Sequence, residues 1–311
     1  MKKLIKVIAI LLAVIVLFLA TVFVVNVICN KIEKGKIQSY GQLVPVDGKQ
    51  MNVYIQGSGE ETVVLLPGYG TAAPALDFKP LIEELSPYYK VVVVEPFGYG
   101  LSDDTDKERT VENIVTETHE ALQQLDIKQY TLMGHSIAGI YGLDYVNKYE
   151  NEVTAFVGID SSVPTQGGND EPFPTGMYKQ LKLSGFYRLL MKLTPDQLIA
   201  PEVDDATREQ IRIISLKNTF NASTLSEGEH FGPNFKATEK LSFPKNLPLI
   251  FFLQANDTET EGWIPMHEEQ IKNSVHGKVM TFDGDHYLHH TRSKEIAENF
   301  RGFMEDVKSG Q

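Results

Sequence analysis

Cysteine is almost missing from this chain: Cys29 is the one such residue in 311. An intrachain disulfide is therefore impossible, and no cysteine-based metal centre can be assembled. Positive charge is also in deficit, with 29 Lys and Arg against 41 Asp and Glu and a formal net charge of −12. That balance argues against a polyanionic partner, so no nucleic acid is expected. There is no internal repeat and no low-complexity tail. His119, His230, His267 and His276 show no metal-ligand spacing and read as surface or loop residues, so neither a metal nor a cofactor is expected.

A long apolar run is present. Val7 to Val25 covers nineteen residues, with Thr21 its sole polar side chain. As a helix it spans about 28 Å, close to the hydrocarbon thickness of a bilayer. It is long for the apolar core of a cleaved signal peptide, and no small-x-small site follows it. Ile28 before Cys29 is too large for lipoprotein processing. Residues 1–30 therefore read as an uncleaved membrane anchor. Lys2, Lys3 and Lys6 precede the run, while Lys31, Lys34 and Lys36 follow it with Glu33 opposing. The amino-terminal lysines favour the N-terminus inside, with the remaining domain on the extracytoplasmic side.

After a polar tether at 31–40, apolar strands alternate with helical patterns. Gln42 to Val46 and Gln50 to Gln56 flank Asp47-Gly48, a two-residue hairpin turn. Thr62 to Leu66 and Val91 to Val94 are continuous apolar strands, as expected in a sheet buried on both faces. A helix from Phe78 to Leu85 lies between them. Thr110 caps another, running to Leu125 with Val111, Ile114, Val115 and Leu122 on one face. Val153 to Ile159 is a further strand. Such alternation predicts a mostly parallel sheet with helices on both faces. It stops after Ser162: residues 163–243 carry helical patterns around Met177 to Leu193 and Ala206 to Thr219 and no strand signal. It resumes at Leu249 to Leu253, followed by a helix near Pro265 to Ser274, a strand at Lys278 to Phe282 and a last helix from Ser293 to Val307. The expected units are a core of 41–162 and 244–311, interrupted by a helical cap at 163–243.

One stretch organises the rest. Tyr130 to Met133 leads into Gly134-His135-Ser136-Ile137-Ala138-Gly139, and a helical spacing of Ile137, Ile140, Tyr141 and Tyr145 follows at once. A strand that turns tightly into a helix lifts Ser136 above the sheet, and small neighbours are needed because strand and helix pass close together. The pattern matches the nucleophile elbow Gly-x-Ser-x-Gly, except that Ala138 stands at the second glycine.

With this elbow, three further marks appear in order: Pro67-Gly68-Tyr69-Gly70, Gly98-Tyr99-Gly100-Leu101-Ser102, and Gly284-Asp285-His286. From residue 40 to 307 the chain resembles the α/β-hydrolase fold superfamily, in its serine hydrolase branch. The resemblance implies an eight-stranded, mostly parallel sheet flanked by helices, with a helical cap insertion, here preceded by one transmembrane helix. One departure is that Pro67-Gly68 replaces the His-Gly of many members.

The implied chemistry is nucleophilic catalysis by Ser136, activated by a base on the loop after the last strand. His286 fits that position; His289 and His290 are rivals that read as rim or helix-start residues. The acid that orients the imidazole is expected at Asp257, just past a buried strand. Asp160, at the end of Phe156 to Ile159, competes, because some members use that position. Asp285 reads as a turn residue. Oxyanion donors are expected from the backbone N–H groups of Tyr69 and Ile137. A serine nucleophile excludes the aspartate-dependent dehalogenase and epoxide hydrolase branches. Cleavage of a small or lipid-derived acyl ester is the expected activity, by a carboxylesterase- or lipase-like route. Amidase or aminopeptidase, acyltransferase and C–C hydrolase chemistries stay open among enzymes, and a non-catalytic small-ligand receptor outside them. Phe173, Met177, Tyr178, Phe186, Tyr187 and Leu190 are expected to line the pocket if they face down. Sequence says nothing of oligomeric state.

Overall fold

Valine-rich segments form the centre of the molecule, because β-branched side chains suit a pleated surface covered on both sides. The computed structural model describes residues 1–167, 171–194, 199–258 and 260–310. Helix α1 (Lys2–Lys34) carries the apolar run and is long and apolar enough to cross a bilayer. It continues into the stretch read as a tether, ending at Lys34 with Gly35 as its cap rather than near residue 30. Strands β1 (Gln42–Val46) and β2 (Lys49–Gln56) make the hairpin, and β3 (Thr62–Leu66) follows. Short helices α2 (Pro74–Asp77) and α3 (Lys79–Leu85) lead to β4 (Lys90–Glu95). Thr110 accepts the Asn113 N–H at 3.2 Å and so caps α4 (Val111–Gln124). Then come β5 (Tyr130–His135), α5 (Ala138–Lys148) and β6 (Val153–Ile159).

Among the described residues, five helices intervene before the sheet resumes. They are α6 (Thr175–Ser184), α7 (Phe186–Leu193), α8 (Asp205–Asn218), α9 (Ala222–Glu229) and α10 (Phe231–Thr238). The single helical stretch read over 177–193 is thus two helices broken at Gly185, and α9 and α10 add to the pattern read from sequence. The chain closes with β7 (Leu249–Gln254), α11 (Trp263–Ile271), β8 (Gly277–Phe282), α12 (Leu288–Thr291) and α13 (Ser293–Ser309).

The eight strands form one sheet in the order β1-β2-β4-β3-β5-β6-β7-β8. β2 pairs antiparallel with β1 and β4, and every other pairing is parallel. Alternation along β3 shows the two-sided core. Val64 and Leu66 join Ile114, Val115 and Leu122 of α4 and Ile140 of α5 on one face. Val63 and Leu65 join Leu81 and Leu85 of α3 and Phe300 of α13 on the other. Each fully buried valine or leucine stabilises the fold by about 1.5–3 kcal/mol before entropy is counted. The parallel strands β5 to β8 also aim their carboxyl ends one way, where open α/β sheets gather their functional groups.

Candidate active site

β5 ends in Gly134-His135 and α5 opens at Ala138, so Ser136 occupies the turn between them. Its φ is +55°, a left-handed conformation that a serine adopts only where its surroundings impose it. The imposing contacts are visible. Ser136 N–H donates to the Ile159 carbonyl at 3.2 Å, and its own carbonyl accepts from Ser162 N–H at 2.8 Å and Gly139 N–H at 2.9 Å. A Cβ on Gly134 would lie 3.0 Å from the Cβ of Ala138. The pair already touches at that limit, so glycine is needed at 134, while alanine suffices at 138.

Ser136 Oγ lies 2.9 Å from His286 Nε2, on the loop between β8 and α12. The other ring nitrogen, Nδ1, lies 2.7 Å from Asp160 Oδ2. With an acidic acceptor at Nδ1, the proton resides there and leaves the Nε2 lone pair facing the serine hydroxyl. Asp160 follows β6 with φ +40° and is almost wholly buried. Its Oδ1 accepts from Trp263 Nε1–H at 2.8 Å and from Gln254 N–H at 3.0 Å. Together with the imidazole these donors satisfy a buried carboxylate that would otherwise be costly.

The carboxylate that meets His286 therefore differs from the one expected from sequence. Asp257, the residue read as the partner of His286, lies on the loop after β7 with Oδ1 accepting the Thr260 N–H at 3.0 Å. The physical reason is sheet geometry: β6 and β7 are neighbours, and the His286 loop reaches back to the end of the inner strand rather than the outer one. Asp285 does act as a turn residue, accepting the Tyr287 N–H at 2.9 Å.

Tyr69 and Ile137, whose backbone N–H groups are the expected oxyanion donors, line the same cavity as Ser136. Among the described residues neither backbone N–H donates to a protein acceptor. Tyr69, Ser136, Ile137, Gln166, Phe231 and His286 line a cavity of about 230 Å³. A second, mostly apolar cavity of about 370 Å³ shares Tyr69 and Tyr287 with it and extends below the cap to Tyr187, Met191, Ile199 and Ile211. A larger hollow of about 600 Å³, between α11 and the Leu241-to-Lys245 segment, has none of Ser136, Asp160 or His286 in its wall. Size alone does not mark the site here.

The aromatic residues expected to line the pocket divide among several roles. Tyr187 lines the apolar cavity. Phe173 packs edge-on to Tyr69 and Phe231, and Tyr178 stacks on Phe220. Phe186 meets Phe18 of α1, while Met177 and Leu190 are exposed.

Several structural residues near the site have no sequence signal. Buried His135 donates from Nε2 to the His286 carbonyl at 3.0 Å, and burial holds its pKa well below the ordinary imidazole value, so it is neutral. His289 and His290 are not rim residues: both are buried, and each bonds Asp77 at 2.8 Å through Nε2. Burial pushes the Asp77 carboxyl up, but its two histidine partners more than offset this and hold it below the ordinary carboxylate range. His267 is likewise not a surface residue, since it is fully buried between the Trp263 and Ser161 carbonyls, each at 2.8 Å. Glu227 of α9 is buried and accepts from Tyr99 and Tyr141, both at 2.6 Å, which pins the cap to the core.

Comparison with known proteins agrees with this architecture. The profile of the alpha/beta hydrolase fold family matches residues 61–190. An uncharacterized protein of Bacillus subtilis, YbdG, is 28% identical over 98% of both chains. Among solved structures, the enol-lactonase of Burkholderia xenovorans superposes with a TM-score of 0.65 at 15% identity, covering 85% of this chain and 100% of that one. A membrane phospholipase A, described as a bacterial virulence factor, superposes with a TM-score of 0.62 at 16% identity over 99% of both chains. At such identities the structures speak for the fold alone.

Proposed function

We propose that this chain, which has the α/β-hydrolase fold and matches that family's profile over residues 61–190, is a membrane-anchored serine hydrolase cleaving an acyl ester. The observation that carries this reading is the continuous line Asp160–His286–Ser136, at 2.7 and 2.9 Å, ending on a serine held at φ +55°. In it His286 takes the Ser136 proton as Oγ attacks the ester carbonyl carbon, and Asp160 stabilises the imidazolium that forms. The oxyanion is received by the N–H groups of Tyr69 and Ile137, the latter at the amino end of α5 where the helix dipole adds to it. Collapse expels the alcohol, protonated by His286, and leaves an acyl-enzyme on Ser136. Water, deprotonated by the same histidine, then releases the acid.

An ester is favoured because the cavity adjoining Ser136 is mainly apolar, and among the described residues the two walls hold one acidic side chain, Asp77, which is bonded to His289 and His290 rather than free to receive a peptide amine. The anchor is α1, with the hydrolase domain on the extracytoplasmic side by virtue of Lys2, Lys3 and Lys6. A panel of p-nitrophenyl esters of graded chain length, run beside the matching anilides on full-length protein in detergent, tests the reaction class. Turnover of esters well above anilides is expected. Anilide turnover equal to or above that of the esters overturns the ester assignment, and no turnover of either, with no labelling by a fluorophosphonate, overturns the enzyme reading in favour of a ligand receptor.

A further inference from the structure

The anchor helix does not end at the membrane and leave the domain to hang from it; the cap is latched onto its side. Arg188 of α7 donates from Nη1 and Nη2 to both carboxylate oxygens of Glu33, at 2.6 and 2.7 Å. It also donates to Asn30 Oδ1 at 2.6 Å and to Asn26 Oδ1 at 3.0 Å. Asn26, Asn30 and Glu33 recur at helical spacing, one face of α1 immediately beyond the apolar run. Bidentate pairing to a carboxylate is the geometry that guanidinium favours. The turn between α6 and α7 is built to lie against this face. Gly185 has φ +87°, and a Cβ there would approach Asn26 Cβ to 2.7 Å.

The latch fixes which side of α7 faces the bilayer. Phe186 meets Phe18, inside the apolar run, with ring centroids 6.2 Å apart. Phe18 precedes Asn26 by eight residues, about 12 Å along the helix axis. The Phe186 side of α7 therefore faces the membrane and the Arg188 side faces away from it. Leu190 and Leu193 follow Phe186 at i+4 and i+7, on the same stripe, and they are 47% and 69% exposed. The neighbouring stripe, Tyr187 and Met191, lines the apolar cavity. The charge of the segment agrees. Residues 175–194 hold Lys179, Lys182, Arg188 and Lys192 and no Asp or Glu, in a chain of net charge −12.

We propose that the α6–α7 hairpin is a membrane-docking surface, with Phe186, Leu190 and Leu193 seated in the interfacial layer of the leaflet that the anchor leaves. Basic, amphipathic helices with exposed leucines bind anionic bilayers in this manner. In this position α7 lies between the leaflet and the apolar cavity, whose wall it lines with Tyr187 and Met191, so an acyl chain drawn from the bilayer would enter past this helix. The inference rests on α1 being a membrane anchor.

The test uses full-length protein with Cys29→Ser as background, reconstituted into vesicles of phosphatidylglycerol and phosphatidylethanolamine. Single cysteines replace Leu190, Leu193 or Val275, each labelled with a polarity-sensitive fluorophore. Val275 is 61% exposed and precedes β8, at the opposite end of the parallel strands from the site. Spin-labelled lipid carrying its quencher near the headgroup is expected to lower the emission at 190 and 193 by about twofold and to leave 275 unchanged. Protein that floats with the vesicles but shows no quenching at 190 or 193 overturns the docking surface while sparing the anchor. Energy transfer between labelled copies without lipid quenching assigns the stripe to a second copy and likewise overturns it. Protein that does not float at all refutes the anchor, and the docking surface with it.

Discussion

Two aspartate–histidine assemblies lie within a few residues of one another in this fold, and they are built alike up to a point. Asp160 meets His286 at 2.7 Å; Asp77 meets His289 and His290, each at 2.8 Å. The first keeps its imidazole 44% exposed and passes the far nitrogen to Ser136. The second is sealed, with both imidazoles and the carboxylate buried, and each Nε2 is spent on the same aspartate. An aspartate–histidine pair thus becomes chemically useful only where the second nitrogen faces a nucleophile and a cavity. Where it does not, the pair is a brace, here tying α12, just behind His286, to α2.

The largest way to sharpen that contrast is to neutralise each candidate acid. Asp160→Asn is expected to lower ester turnover by about 10⁴-fold while leaving the fold intact, because an amide fixes the wrong imidazole tautomer and cannot stabilise the cation. Asp257→Asn is expected to change turnover by no more than a few-fold, since that residue supports its own loop. Steady-state kinetics on the two variants decides between them, and the reverse ranking would transfer the role to Asp257.

The choice of acid is also where the sequence was least informative. Asp160 and Asp257 each end an apolar strand, and no local signal separates them. The decision lies in which strand end the His286 loop reaches, a tertiary fact. The elbow, the histidine and the eight strands were legible because each depends on near neighbours: valine runs, a Gly-x-Ser turn, a Gly-Asp-His loop. The continuation of α1 to Lys34 was not, because residues 31–34 read as the start of a polar tether until Arg188, more than 150 residues away, is seen to bind Glu33 together with Asn26 and Asn30. Helices α9 and α10 were hidden by their length of eight residues each and by the internal Gly228 and Pro233.

A smaller effect is expected at the brace. Asp77→Asn should cost about 2 kcal/mol of stability at neutral pH, through loss of a charged acceptor for two buried imidazoles. Because the folded-state pKa of Asp77 lies below its unfolded value, this contribution is complete above the ordinary carboxylate range, about 4, and is lost as pH falls below it. Urea unfolding of wild type and variant should therefore differ most at pH 7, and the gap should begin to narrow as pH falls below about 4. A gap that is constant across this range would show that the charge of Asp77 is not what stabilises.

The smallest effect is expected at the departure from the usual elbow. Ala138→Gly restores the second glycine, and turnover should stay within about two-fold, with at most 1 kcal/mol of stability lost at the start of α5. Thermal unfolding and ester turnover measure both, and a large gain in rate would mean that Ala138 restricts the nucleophile.

The central claim, that the exposed pair activates Ser136, is tested most directly by mapping a covalent adduct. Full-length protein is treated with a fluorophosphonate, digested, and read by mass spectrometry. The account predicts one modified peptide, the one carrying Ser136, and none in Ser136→Ala, whose ester turnover should fall to the residual level left by binding and the oxyanion donors. An adduct on any other residue, or undiminished turnover in Ser136→Ala, would contradict it.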